Sequence, residues 1–302
     1  MSVSNIIRVK TITEGHRLQD LPAPEHPLIS VVDCALLKKS ADFRSVICDF
    51  YTITLKRGCE KLLYGQQEYD FDEGVMAFMA PNQVVRGQGH ISDTPMSGWM
   101  LSVHPDFLWN TPLANKIKQY EYFGYAVHEA LFLSEKEEMI INHIVETIRQ
   151  EYHAHIDRYS QAIIIAHLET LFTYAERFYQ RQFITRQKSS HHLMSRLEEV
   201  LAACFSDENL ARNGLPTVQY ISATLNVSPG YLSNMLNVLT GQSTQQHIHD
   251  KLIEKAKEKL STTTTSVSEI AYALGFEHPQ SFSKLFKLKT QVSPLTFRQS
   301  FQ

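Results

Sequence analysis

The chain has 302 residues, enough for two domains of ordinary size that each bury a core. Apolar residues make up 43% and charged residues 20%, a soluble globular profile, and the longest apolar runs fall far short of a membrane span. The net charge of −3 argues, taken alone, against a nucleic-acid partner. The start, MSVSNIIRVK, lacks the long apolar segment of a signal peptide, which predicts a cytoplasmic chain with no membrane association. Four scattered cysteines, Cys34, Cys48, Cys59 and Cys204, form no C-x-x-C pair and read as buried free thiols.

Residues 1–40 are weakly patterned, and Leu21-Pro22-Ala23-Pro24 with Pro27 predicts an extended lead-in. From Asp49 the period is two: Tyr51, Ile53 and Leu55 alternate with Phe50, Thr52 and Thr54. Leu62–Tyr64, Tyr69–Phe71, Val75–Met79 and Trp99–Val103 read as further short strands between turn residues, so this part predicts a small barrel or sandwich. After Phe107 the texture is helical. Ser134-Glu135-Lys136-Glu137 is a capping box before Ile141, Ile144, Val145 and Ile148. A second helix over about 160–183 is apolar on more than one side. It must bury both, against the preceding helix and against the barrel, a second subunit, or the same subunit. The polar stretch 185–192 (TRQKSSHH) reads as an interdomain linker.

Residues 217–297 read as two helix-turn-helix units on one long helix. The first pairs Val218–Leu225 with Gly230–Leu239, and the second pairs Val267–Leu274 with Pro279–Lys289. Ser228 can cap the second helix of the first unit, with Pro229 in its first turn, and Pro279 repeats that role 50 positions on. Ser266-Val267-Ser268-Glu269 is a capping box, and Gly275 supplies the permissive backbone of a sharp turn. Leu232, Leu236 and Leu239 predict one buried face, as do Phe282, Phe286 and, roughly, Leu285. Opposite them stand Gly230, Ser233, Asn234 and Asn237, and then Gln280, Ser283, Lys284 and Lys287, both at i, i+3, i+4, i+7 spacing. Ser281 adjoins the second stripe. One such stripe alone is as readily a solvated face. Two, each after a tight turn, point to side chains that hydrogen-bond base edges in the major groove. From Leu215 onward eight basic residues face five acidic ones, a surplus of +3 that leaves −6 for the rest. Phosphate contact must then lean partly on helix N-termini and backbone amides.

At these residues the sequence resembles the AraC/XylS family of bacterial transcription regulators. The likeness runs through STQQHIHDKLIEKAKEKL (243–260), SVSEIAYALGF (266–276), QSFSKLFK (280–287) and Ser293-Pro294. It departs at Gln291, where the family usually has Gly, at Lys251, where Arg is common, and at Ser222, a position usually held by Ala. The resemblance implies two helix-turn-helix units on a rigid linking helix, entering successive major grooves. It also implies promoter DNA and RNA polymerase as partners, and a nucleoid-associated regulator, an activator by the family's habit. In its company FYTITL, the turn containing Gly74, and Phe78-Met79-Ala80-Pro81 look like a cupin-type sensor domain. The expectation is an α+β chain: a cupin-like β-barrel over 1–130 for sensing or dimerisation, and a helical pair over 131–184. A linker over 185–192 and an all-α DNA-binding domain over 193–302 follow.

Cupin enzymes hold a metal with an H-x-H pair plus a further Glu and His. The region from Asp33 to Val103 has His90 alone, and one His cannot build a metal centre. The pairs His153/His155 and His247/His249 fall on predicted helices, where residues two apart diverge by about 200°. No G-x-S-x-G, phosphate-cradling loop or activated cysteine signature is present, so neither an enzyme nor a cofactor is expected. A barrel without metal ligands still offers its mouth to a small effector, and Tyr51, Tyr64, Arg86 and Trp99 are pocket-type residues for it, though each suits ordinary core or surface better. The paired helices predict a homodimer. Two other readings stay open: a cupin-type metalloenzyme with a DNA-binding appendage, and a ligand-independent DNA binder.

Overall fold

A computed structural model of the chain describes residues 6–37, 45–57, 74–86, 97–126, 129–153, 157–185 and 187–301. It divides into two compact units, Met1–Gln182 and Phe183–Gln302.

The first unit contains, in order, β1 (Ile6–Val9), α1 (Ile12–Leu18), β2 (Ile29–Asp33), β3 (Ser45–Cys48), β4 (Tyr51–Arg57), β5 (Gly74–Met79), β6 (Val84–Arg86), β7 (Ser97–Val103), α2 (Leu113–Lys116), β8 (Leu131–Leu133), α3 (Glu135–His153) and α4 (Ser160–Thr185). One sheet has the order β2-β7-β4-β5-β8, antiparallel throughout; a smaller one has the order β1-β3-β6. Among the described residues neither sheet closes on itself, so the expected barrel is not seen as a closed sheet. Both edges of the larger sheet are met by helix side chains instead. At β2, the Tyr152 hydroxyl accepts from the Val31 N–H at 3.0 Å and donates to the Val31 carbonyl at 3.3 Å. At β8, Gln182 Oε1 accepts from the Phe132 N–H at 2.8 Å and Arg181 Nη2 donates to the Phe132 carbonyl at 2.7 Å. An open sheet is tolerable when its unpaired edge groups find such partners.

The expected alternation in β4 is only half the pattern. Tyr51 through Leu55 are all buried, Thr52 and Thr54 included, because both faces of this central strand are covered. The strands expected at 62–64 and 69–71 lie outside the described residues. Residues 1–40, read as an extended lead-in, hold β1, α1 and β2. A capping box from Thr11 and Glu14 starts α1, and β1 gains its place through parallel pairing with the distant β3. On α3 the buried set includes Ile141, Ile144, Val145 and Ile148, as its spacing predicts. The second apolar side of α4 is covered within the same chain: Tyr179 stacks on Tyr122 at 5.6 Å, and the Phe172 carbonyl accepts from the Tyr122 hydroxyl at 3.1 Å.

The second unit is helical: α5 (Gln187–Cys204), α6 (Asp207–Asn213), α7 (Val218–Leu225), α8 (Pro229–Thr240), α9 (Thr244–Thr262), α10 (Val267–Ala273), α11 (Pro279–Thr290) and α12 (Pro294–Gln299). The stretch 185–192, read as an interdomain linker, is helical from Gln187 on. Ser190 is buried and donates to the Phe183 carbonyl at 3.0 Å, which draws this polar run into the unit. The four helices of the two helix-turn-helix units agree with expectation to within a residue at each end. Helices α7 and α10 close with the same hydrogen-bond pattern: Asn226 and Gly275 take left-handed backbone, and the residue after each donates five positions back, Val227 to Ser222 and Phe276 to Ala271.

These contacts set the stability of three variants. Gln182→Leu leaves the Phe132 N–H and the Ala130 carbonyl without their side-chain partner and lowers stability by about 1–3 kcal/mol. Gly275 has φ +86, and an added Cβ would sit 2.9 Å from the Leu215 nitrogen, so Gly275→Ala costs about 1–2 kcal/mol from backbone strain before that contact is relieved. Gln291 also holds left-handed backbone, φ 65, at the end of α11; in Gln291→Gly the relief of about 1–2 kcal/mol of strain exceeds the about 0.4–1 kcal/mol of added unfolded-chain freedom, so the variant is the more stable. Urea midpoints of the three variants against the parent chain check both directions of change.

Candidate nucleic-acid interface

Each candidate reading helix begins with local chemistry. Ser228 accepts from the Tyr231 N–H to cap α8, and Pro229 occupies its first turn. Helix α11 has Pro279 in its first turn, but His278 gives it no side-chain cap. Both helices pack an apolar face inward: Leu232, Met235 and Leu236 on α8, and Phe282 and Phe286 on α11 are all buried. Leu239, expected on the buried face, is 38% exposed, and Met235 takes its place. Leu285 is half-buried.

The opposite faces differ. On α11, Gln280, Ser281, Lys284 and Lys287 are exposed and Ser283 is half-buried. On α8, Asn237 is exposed, while Gly230, Ser233 and Asn234 are half-buried. The Ser233 hydroxyl bonds Thr244 Oγ1 at 3.0 Å, so it also ties α8 to the first residue of α9. Ser222, where the resembling family favours alanine, is buried, and its hydroxyl donates to the Val218 carbonyl at 2.9 Å; the polar atom is satisfied inside its own helix.

Helix α9 carries the frame. Thr244, Ile248, Leu252, Ile253, Ala256 and Leu260 are buried along it, and a capping box of Ser243 and Gln246 starts it. Its cations are largely spoken for. Lys251 pairs with Glu254 at 2.9 Å, Lys255 with Glu258 at 3.1 Å, and Lys259 with Asp207 at 2.9 Å. The bond from Lys259, with Lys255 nearby, holds the Asp207 carboxyl below the usual carboxylate range. Lys289, beyond the reading stripe, pairs with Asp250 at 2.6 Å. Burial pushes His247 and His249 below the ordinary imidazole value, so neither adds a cation at neutral pH. Among the described residues, neither Lys284 nor Lys287 has a carboxylate partner. The pairs at Asp250 and Asp207 join residues distant in sequence, and spacing rules alone gave no sign of them.

The four pocket candidates are not brought together by the described residues. Tyr51 is buried with its ring edge-on to Phe123 at 5.1 Å. Trp99 is buried and donates to Asn142 Oδ1 at 2.8 Å; Asn142 in turn approaches Glu138, which accepts from Arg57 at 2.8 Å. The Arg86 backbone lies in β6 opposite Ser45; Tyr64 lies outside the described residues, as do His90, His155 and Cys59. Cys34, Cys48 and Cys204 are free thiols, and burial, with Asp49 nearby, pushes Cys48 up to about 11. Among the described residues no three His, Cys, Asp or Glu side chains gather as metal ligands, and no helix is long and apolar enough to cross a membrane.

Comparison with known proteins places the likeness on this same unit. A helix-turn-helix domain model matches residues 221–300, from within α7 to just past α12. The raffinose operon transcriptional regulatory protein RafR of Pediococcus pentosaceus is 32% identical over 100 residues, which are 33% of this chain and 35% of that protein. The HTH-type transcriptional regulator YisR of Bacillus subtilis (strain 168) is 30% identical over 114 residues, 37% of this chain and 39% of that protein. The C-terminal domain of the two-component response regulator yesN of Fusobacterium nucleatum has a solved structure that is 30% identical. It covers 35% of this chain and 96% of that one, with a TM-score of 0.31. The chain spans little more than a third of the length of the curated relatives named here. The C-terminal unit of this chain carries a helix-turn-helix domain similar to those of transcriptional regulators.

Proposed function

We propose that the chain is a sequence-specific DNA-binding regulator of transcription of the AraC/XylS kind. The observation that carries this is the outward face of α11. Gln280, Ser281, Lys284 and Lys287 stand exposed there, with the two lysines unneutralised, while Lys251, Lys255, Lys259 and Lys289 are held by carboxylates. Cations left without partners on a helix of groove-filling size are what phosphate and guanine edges attract. On this reading α11 enters one major-groove segment with Gln280, Ser281, Ser283, Lys284 and Lys287. Helix α8 enters another, about one helical turn (~34 Å) away, with Gly230, Asn234 and Asn237. Asn234 pairs with adenine and Lys284 reaches guanine; Ser233 contributes through its bond to Thr244 as much as through any base.

The first unit is read as a cupin-like sensor for a small effector. In support stand its two sheets and its aromatic interior, which includes Phe78, Tyr120, Tyr122, Phe123, Phe172 and Tyr179. A cytoplasmic homodimer that meets RNA polymerase at a promoter completes the proposal, without enzymatic activity or a cofactor.

Selection of bound sequences from a random duplex pool, followed by titration at several salt concentrations, tests the DNA reading. Asn234→Ala loses roughly 1–3 kcal/mol, confined to one base position. Lys287→Ala weakens binding evenly across sequences and makes the salt slope shallower by about one. A pool that yields no preferred sequence overturns the proposal; a variant that titrates like the parent overturns that residue's assignment.

A further inference from the structure

Asp250 lies on α9, outside both candidate reading stripes. Its two carboxylate oxygens are shared between the two helix-turn-helix units. Oδ1 takes Lys289 Nζ at 2.6 Å, from the last turn of α11. Oδ2 takes Gln242 Nε2 at 2.9 Å, from the short connection that follows α8. The Gln242 backbone N–H donates to Thr240 Oγ1 at 3.2 Å, and that hydroxyl also meets the Leu236 carbonyl and His247 Nε2. A continuous run of hydrogen bonds therefore leads from the end of α8, through Asp250, to the end of α11.

We infer that Asp250 is a positioning residue that sets the spacing and relative aim of the two recognition helices, and so the requirement for two DNA segments at one separation. The inference rests on the DNA-binding reading above and adds to it a residue that touches no base. Burial opposes ionisation of Asp250, yet the bond and charge of Lys289, aided by Gln242, hold its carboxyl below the usual range, so it is ionised at neutral pH. Its side chain is 40% exposed and that of Lys289 26%, and pairs of this exposure contribute little to folding. What such a pair can do is restrict geometry. When two binding elements share one body, engagement of the second is intramolecular, and its advantage depends on how well the body presents both at once.

The test compares affinity for a duplex carrying both selected segments with affinity for one in which either segment is scrambled. For the parent chain this ratio is well above one. Asp250→Ala and Lys289→Ala change the net charge in opposite directions, so a mere electrostatic effect shifts overall affinity up in one and down in the other. Positioning by Asp250 instead lowers the two-segment ratio in both, by about tenfold. It also lets both accept an inserted base pair between the segments that the parent rejects. Gln242→Ala, which leaves every charge in place, lowers the same ratio, and the exchange Asp250→Lys with Lys289→Asp restores part of it. Melting temperatures near the parent's exclude unfolding as the cause. Unchanged ratios in Asp250→Ala and Lys289→Ala overturn the inference while leaving the DNA-binding reading intact. A parent ratio of one, with no gain from the second segment, overturns the two-groove reading and the positioning role with it.

Discussion

Two short helices could read one duplex together only if something held them at a set distance and angle, and in this chain the apolar seam of α9 supplies the frame for that. Ile248, Leu252, Ile253, Ala256 and Leu260 are buried along it, and such burial, not the polar stripes, supplies the free energy. Directional contacts then remove the remaining freedom. Ser233 meets Thr244 at the start of α9. Asp207 at the head of α6 takes Lys259 at 2.9 Å and Lys255 at 3.8 Å. The turn after α10 lies so close to Gly214 and Leu215 that only glycine fits at 275. The two helix-turn-helix units are therefore braced to each other through the α6–α7 connection as well as through the helix that joins them in sequence.

The first unit solves a different problem. Among the described residues its larger sheet is open, and an open sheet exposes rows of unpaired backbone groups that invite other chains. Tyr152 from α3 and Gln182 with Arg181 from α4 supply the missing partners at single points on either edge. Arg181 is itself oriented by Glu137 at 2.8 Å. The aromatic residues between these elements pack in edge-on and stacked pairs. Tyr122, for example, lies parallel to Tyr179 and tilted against Phe78. Burial raises the Tyr122 hydroxyl well above the usual phenol value and keeps it a neutral donor to the Phe172 carbonyl.

What the sequence made legible is what local chemistry decides. Ser228-Pro229, the capping box from Ser266 to Glu269, and Gly275 each act within a few residues of themselves, so their consequences are readable without a partner. The polar stripe on α11 was legible for the same reason. On α8 the stripe was legible as a pattern, but not the engagement of Ser233 by a residue eleven positions on. Leu239 looked like core because helical spacing cannot say where a neighbouring helix ends; the structure puts Met235 there and leaves Leu239 outside. Residues 1–40 hid two strands because β1 is four residues long and pairs with β3 across the chain, a contact with no local signature. The polar run 185–192 has linker composition, yet from Gln187 on it is helix, and Ser190 within it is buried and bonded to the Phe183 carbonyl. Trp99 reads as a pocket residue by type, and its bond to Asn142, 43 positions on, has no local signature.

The charge arithmetic changes meaning once the pairs are known. A surplus of +3 over the C-terminal part is small for a protein proposed to approach a polyanion. Lys255, Lys259 and Lys289 lie against Asp207, Glu258 and Asp250, so part of that surplus is tied up in ion pairs within the unit. A diffuse basic surface binds any duplex and gains affinity without selectivity. A body with part of its cations paired internally would gain less from phosphates in general, and on the proposed reading more of its binding would come from the fit of α8 and α11 to a particular sequence. On the proposed reading the lysines paired within the unit, Lys255, Lys259 and Lys289, would serve the frame, and Lys284 and Lys287 would be left to meet DNA.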